Sequence, residues 1–247
     1  MRPIASGVWQ LHSARGCNVY AVEIDNCELA IVDCGFRISD GIISEVAEIR
    51  AENRLGDVTY ILITHRHRDH VGGLRDLHHY FPQARIVVGR EDCVFDEDNV
   101  AWIGENQVTI VVPGEMGLVT RLTTSLRALS LPGHTMGSLA YISEKSGVTF
   151  TGDAIISHKN TLARPLKFLN ENDTLYLKSL SALAGLATNI AAPGHGFVVQ
   201  NSFIKRLSEL AAQPRKRMNP VEAYRIIRGL IAFVNLRRRK NVQEADY

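Results

Sequence analysis

Thr64-His65-Arg66-His67-Arg68-Asp69-His70 places three histidines and one aspartate in a single short run. It follows Tyr60-Ile61-Leu62-Ile63, an apolar segment that reads as a strand buried on both faces. In an extended or turning segment, residues i and i+2 point to the same side. His65 and His67 can therefore grip one cation. Asp69 and His70 lie past the turn and can reach a second cation beside it. Imidazole and carboxylate suit Zn²⁺, and also Fe and Mn. Arg66 and Arg68 alternate with these side chains and point away, toward the surface or an entrance.

Three further residues share the same kind of setting. His134 sits in Leu131-Pro132-Gly133-His134-Thr135, Asp153 in Phe150-Thr151-Gly152-Asp153 and His195 in Pro193-Gly194-His195-Gly196. Each is a metal-binding residue type at a strand end, beside a glycine that permits a tight turn. Singly each reads as an ordinary histidine or aspartate. With the first run they supply five histidines and two aspartates, enough for two metal ions.

Around these positions the chain alternates strands and helices. Val19 to Ile24 and Leu29 to Val32 read as strands with a turn at Asp25-Asn26. Ile42, Ile43, Val46 and Ile49 carry helical spacing within Ser39 to Asn53. A helix after Gly72-Gly73 runs to about Tyr80, with His78 and His79 at its surface. Strands follow at Arg85 to Val88, Val108 to Val112, Leu126 to Leu131, Leu139 to Ser143 and Val148 to Thr151. A helix covers about Asn172 to Leu186, and a strand near Ile190 to Ala192 leads to His195. Asn219, Pro220 and Glu222 fit the start of a last helix. Strands leading each half predict two sheets packed face to face with helices outside, a four-layer α/β design. Trp9 and Trp102 read as packing residues, and Asn18 as structural.

The chain has 247 residues, 45% of them hydrophobic, enough for one large domain with a substantial core. No linker composition or repeat divides it. The formal net charge of +2 argues against a nucleic-acid binder. The dense basic run Arg237-Arg238-Arg239-Lys240 reads as a solvated tail. Cys17, Cys27, Cys34 and Cys93 show no CxxC spacing and fit free thiols in a reducing cytosol. The first residues lack the apolar stretch of a secretion signal. No apolar run reaches the roughly 18 residues of a membrane span. The expectation is a cytoplasmic protein acting on a small molecule, without a membrane or nucleic-acid partner.

The order HxHxDH, then His134, Asp153 and His195, resembles the metallo-β-lactamase superfamily. Within it the pattern is similar to the glyoxalase II-like (hydroxyacylglutathione hydrolase-like) enzymes, over about residues 17 to 200. The resemblance implies a four-layer αββα sandwich over residues 1–202, with residues 203–247 as a C-terminal helical extension packed on it. It implies two Zn²⁺ ions, with Fe or Mn as alternatives. His65, His67 and His134 would hold the first ion, Asp69, His70 and His195 the second, and Asp153 would bridge them. The implied chemistry is attack of a metal-bridging hydroxide on a thioester, ester or lactone carbonyl. Asp69 also takes a catalytic role, orienting that hydroxide.

Other branches of the superfamily fit less well. The secreted β-lactamases lack an aspartate equivalent to Asp153. The tRNA-processing nucleases have a far longer stretch than the 19 residues between His134 and Asp153. The flavodiiron proteins place Glu where this chain has His67. The quorum-signal lactonases place a tyrosine where this chain has Ile156. Two alternatives stay open, a persulfide dioxygenase with a single iron on two His and one Asp, and a metal-dependent phosphodiesterase. His158 and Lys167 are the candidates for substrate contact. Tyr224, Arg225 and Arg228 read as the solvent face of a helix.

Overall fold

The computed structural model describes residues 1–93, 108–158 and 161–215. Trp102, the helix start at Asn219, Pro220 and Glu222, the residues Tyr224, Arg225 and Arg228, and the basic run Arg237 to Lys240 lie outside the described residues. Met1–Ala212 forms one compact unit and Gln213–Tyr247 a second. Everything below concerns the first.

One sheet holds seven strands, in chain order: β1 (Arg2–Ala5), β2 (Val8–Leu11), β3 (Val19–Glu23), β4 (Leu29–Val32), β5 (Val58–Leu62), β6 (Arg85–Gly89) and β7 (Val108–Val112). Strands β1 to β4 pair antiparallel. From β4 to β7 the pairing is parallel. Parallel pairing needs crossovers. Helix α1 (Asp40–Asn53) supplies one, and α2 (Arg68–Val71) with α3 (Leu74–Tyr80) supplies the next. The second sheet has six strands: β8 (Val119–Arg121), β9 (Leu126–Ser130), β10 (Leu139–Ser143), β11 (Val148–His158), β12 (Thr161–Ala163) and β13 (Ile190–His195). Here β13 joins β11 in parallel, across the crossover helix α4 (Asp173–Leu186). Helix α5 (Phe203–Ala212) follows.

The apolar runs are continuous because both faces of the first sheet are covered. Val19, Ala21, Leu29 and Ile31 pack outward with Ile42, Val46 and Ile49 of α1 and Leu74 and Leu77 of α3. Their alternates Tyr20, Val22, Ala30 and Val32 pack inward, against Ala128, Tyr141, Val148 and Phe150 of the second sheet. That period of two is the strand pleat expressed in sequence. The far face of the second sheet packs Ala140 and Ile142 on Tyr176, Leu180 and Leu183 of α4 and Phe203 and Leu207 of α5. The result is helix, sheet, sheet, helix: the four-layer αββα sandwich, with α5 at the C-terminal side.

Tyr141 pins the two sheets together. Its buried hydroxyl donates to the Ile63 carbonyl at 2.7 Å, just past the end of β5. The Leu139 amide donates to the Thr64 carbonyl at 2.7 Å. Both bonds fix the second sheet against the segment that opens the histidine run.

Several elements depart from the sequence reading. Strands β1, β2, β8 and β12 add to those read from the sequence. Strand β11 does not stop at Thr151 but continues to His158, through a register shift at Gly152. Asp69 and His70, expected past the turn, lie in the short helix α2. Asp153 and His195 are consequently inside strands, not beyond them. Among the described residues, no helix is long and apolar enough to cross a membrane.

Candidate metal centre

His65 follows β5 by three residues, and the cluster draws on the segments after β5 and β9, the middle of β11 and the end of β13. The three nitrogens of His65, His67 and His134 meet closely. His65 Nε2 lies 2.9 Å from His67 Nδ1, and His134 Nε2 lies 3.1 Å from the same atom. Asp153 Oδ2 is 3.6 Å from His134 Nε2. On the other side, Asp69 Oδ2 is 3.1 Å from His195 Nε2, and His70 Nε2 is 3.4 Å from His195 Nε2. Asp153 lies between the two groups: its Oδ2 is 3.6 Å from His195 Nε2 and its Oδ1 3.5 Å from His70 Nε2. All seven sequence-derived ligand candidates are thus brought together, in two sets that could each hold an ion.

The outer contacts fix which nitrogen faces inward. Thr64 Oγ1 donates to Asp33, 2.8 Å from Oδ2, so it can only accept from His65 Nδ1 at 3.1 Å. His134 Nδ1 donates to Asn170 Oδ1 at 2.9 Å, and Asn170 Nδ2 donates in turn to Asp173 at 2.7 Å. His70 Nδ1 donates to Asp33 Oδ2 at 2.8 Å. In each case the bonded nitrogen takes a proton, so a neutral ring has its Nε2 lone pair pointing into the cluster. Lone pairs packed this closely repel unless a cation sits among them.

The electrostatics agree. Burial pushes His65 well below the usual histidine range. Burial pushes His67 down as well. Both imidazoles are therefore neutral and ready to donate. For Asp69, burial opposes ionisation, but the bond from His195 outweighs it and holds the carboxyl below its ordinary range. For His195, burial opposes the charge and the bond to Asp69 outweighs it, so its pKa rises.

The donor set also passes a direct test for a cation. Asp153 Oδ1 is buried and has no hydrogen-bond partner. A buried unpaired carboxylate oxygen is costly. A cation in reach of Asp153 removes that cost, and no neighbouring donor does. Gly194 passes so close that a Cβ there would lie 2.6 Å from Asp153 Oδ1 and 2.6 Å from His70 Cε1. Only glycine leaves the room.

Three residues that support the centre were not read as functional from sequence. Asp33, buried at the end of β4, accepts from the Thr64 amide at 2.8 Å as well as from Thr64 Oγ1 and His70. Its backbone is left-handed, with φ of 61°, a conformation aspartate tolerates better than most residues. Cys17 lies near Asp33 and His70 in a wholly buried triplet. His70 Nδ1 is already committed to Asp33, so this triplet supports His70 from behind. Asp92, buried after β6, accepts from the Arg66 amide at 2.8 Å, Thr135 Oγ1 at 2.6 Å and the Gly137 amide at 3.0 Å. It ties the His65–His70 run to the His134 loop. Arg66 pairs with Glu171, and Glu171 Oε2 accepts from the Met136 amide at 3.0 Å.

Asn18 is structural, as its sequence context suggested, and it acts on the centre. Its amide donates to the Gly194 carbonyl at 2.7 Å, and its Nδ2 donates to the Pro193 and Gly196 carbonyls, both at 2.9 Å. Tyr20 adds a 2.8 Å bond to the Pro193 carbonyl. Strand β3 and the residue before it thereby hold the turn that carries His195. The two substrate candidates, His158 and Lys167, are exposed, at the end of β11 and in the turn Lys167–Leu169. Neither belongs to the converging set.

Comparison with known proteins agrees with this geometry. A family model described as the metallo-beta-lactamase superfamily matches residues 12–195. The uncharacterized protein YobT of Bacillus subtilis (strain 168) is 30% identical, over 76% of this chain and 88% of its own length. The atrochrysone carboxyl ACP thioesterase of Aspergillus fumigatus is 27% identical over 79% of this chain. This chain spans only about half of that fungal relative, 53%. The crystal structure of ST1585, an archaeal metallo-beta-lactamase superfamily protein from Sulfolobus tokodaii, matches with a TM-score of 0.63 at 19% identity, covering 93% of this chain and 96% of that one. At such identity the likeness carries the fold alone.

Proposed function

The chain belongs to the metallo-β-lactamase superfamily, and from that premise we propose that it is a dinuclear metal-dependent hydrolase of thioester, ester or lactone carbonyls, thioesters foremost. The observation that carries this reading is Asp153, set between two groups of histidines with one oxygen buried and unpaired. His65, His67 and His134 would hold one ion, Asp69, His70 and His195 the other, and Asp153 is placed to serve both. That is the arrangement of the glyoxalase II-like enzymes. The thioesterase name of a relative supports the choice of thioester.

Two divalent cations held there lower the pKa of a water and stabilise the oxyanion that forms on a carbonyl. The protein's own groups do the rest. Asp69 is the more open of the two carboxylates, its side chain 28% exposed against 11% for Asp153. It is placed to accept a hydrogen bond from the attacking water and so aim it. The water oxygen bonds to the carbonyl carbon, the carbon–sulfur bond breaks, and the thiol leaves with a proton. The acid product ionises, so each turnover releases one proton to solvent. Cys17 is no rival nucleophile, because burial pushes its thiol pKa up.

The test joins elemental analysis of the purified protein to a panel of thioester, lactone, phosphodiester and persulfide substrates. About two metal equivalents with thioester or ester cleavage is the expected result. One iron with oxygen uptake on a persulfide, or phosphodiester cleavage alone, overturns it.

A further inference from the structure

Large apolar side chains left in water are not scattered evenly on this protein. Eight are exposed among the described residues. Four of them stem from segments that bear or brace the metal centre. Phe36, 47% exposed, and Asp69 both border Gly16, where an added Cβ would meet Phe36 Cδ2 at 2.8 Å and Asp69 Cβ at 3.1 Å. Phe197, 52% exposed, is two residues past His195, and its carbonyl is fixed by Ser157 Oγ. Phe168 and Leu169, 52% and 42% exposed, immediately precede Asn170, which orients His134. The backbone of that segment is pinned, since the Glu171 amide donates to the His134 carbonyl at 3.1 Å. Segments that adjoin the metal-ligand residues therefore expose phenyl and isobutyl groups, on anchored backbone.

Water-exposed aromatic rings at a catalytic mouth are costly unless a ligand covers them. We propose that the substrate's acyl group is apolar or aromatic, and that Phe36, Phe168, Leu169 and Phe197 form the rim that holds it beside the metals. The rim explains discrimination between acyl groups, while the metals act on the carbonyl that all of them share. The proposal rests on the hydrolase reading above.

Full-length, metal-loaded protein is tested on acetyl, hexanoyl and naphthoyl thioesters of one small thiol. In parallel, acetate, hexanoate and naphthoate, the acid products, are titrated by calorimetry. The expected result is a kcat/KM at least about tenfold higher for hexanoyl and naphthoyl than for acetyl, with the acids ranked alike. Phe36→Ala, Phe168→Ala and Phe197→Ala should each shrink that ratio by about threefold or more, with two metal equivalents still bound. Equal efficiency across the series, or a preference that survives all three substitutions, overturns the rim. A gluconjugate-like preference for the charged substrate S-lactoylglutathione over naphthoyl overturns it as well. If no thioester is cleaved yet naphthoate binds tightly and the three variants lose it, the rim stands and the hydrolase reading falls.

Discussion

The carboxylate of Asp33 meets the Nδ1 edge of His70 at 2.8 Å, both groups fully enclosed by the fold. The proton on Nδ1 is thereby fixed, and Nε2 is turned toward Asp153 and His195. Outer partners of this kind set the orientation and basicity of a metal-binding imidazole. Replacing Asp33 by Asn removes the charge and lets His70 rotate or change tautomer. Zinc titration of the Asp33→Asn variant, with a competing chelator, should show one of two sites weakened by roughly 10- to 100-fold. Two sites of unchanged affinity would assign Asp33 to folding alone.

Asn18 reaches the same centre from a different layer. Its side chain holds the carbonyls on either side of the Gly194–His195 pair. Asn18→Ala removes the side-chain donor to Gly196 and leaves the Pro193 carbonyl to Tyr20 alone, and should cost about 1–3 kcal/mol of stability. The informative readout is metal binding, since only His195 lies on the freed turn. Cobalt(II) titration should show the set containing Asp69, His70 and His195 weakened while the set containing His65, His67 and His134 fills as before. Equal weakening of both would point to a general loosening instead.

Gly194 admits no side chain. Alanine there would press a methyl to within 2.6 Å of both Asp153 and His70. Overpacking of this kind typically costs about 1–3 kcal/mol, and here the strain falls on two ligands at once. Gly194→Ala should fold with a lowered melting temperature and retain fewer than two metal equivalents after dialysis. A variant with both ions and full thermal stability would show that the turn yields more easily than its geometry implies.

A last prediction concerns pH and the edge of the sandwich. Asp25 Oδ2 accepts from the Thr124 amide at 2.7 Å and from Thr124 Oγ1 at 2.6 Å, joining the β3–β4 turn to the turn before β9. The Thr124 bond holds its carboxyl well below the usual range. A carboxylate lowered in the folded state stabilises above its ordinary pKa of about 3.9 and loses that contribution as pH falls. The group is exposed, so the effect is screened and amounts to about 0.5–1 kcal/mol at neutral pH. Urea midpoints of wild type and Asp25→Ala should differ clearly at pH 7 and start to draw together only as pH falls below about 4, toward the lowered folded-state pKa. A gap that stays constant with pH would mean the carboxylate's charge plays no part.

Much of the centre was legible in the sequence because metal binding demands particular residue types, and His65, His67, Asp69, His70, His134, Asp153 and His195 all belong to them. The layers were legible because β3, β4 and β5 are apolar on both faces and α1 carries its apolar residues on one. What escaped notice depends on distance along the chain. Asp33 acts on a residue 37 positions away and Asn18 on one 175 positions away, and neither has a local pattern that announces it. Strands β8 and β12 are three residues long, too short for any period to show. Strand β11 was cut short at Thr151 because Gly152 looks like a terminator. It is instead a bulge with φ of 48°, and that bulge aims Asp153 inward.

The parallel docking of β13 against β11 has a consequence for how the protein is made. A ribosome delivers the run from His65 to His70 long before His195, and β13 can take its place only once α4 has crossed the sheet. Until then the early histidines stand without the residue that closes their pocket. On the proposed two-metal reading, ion capture by the growing chain would be provisional, and a centre able to hold both metals would become available only near the end of translation of the compact unit.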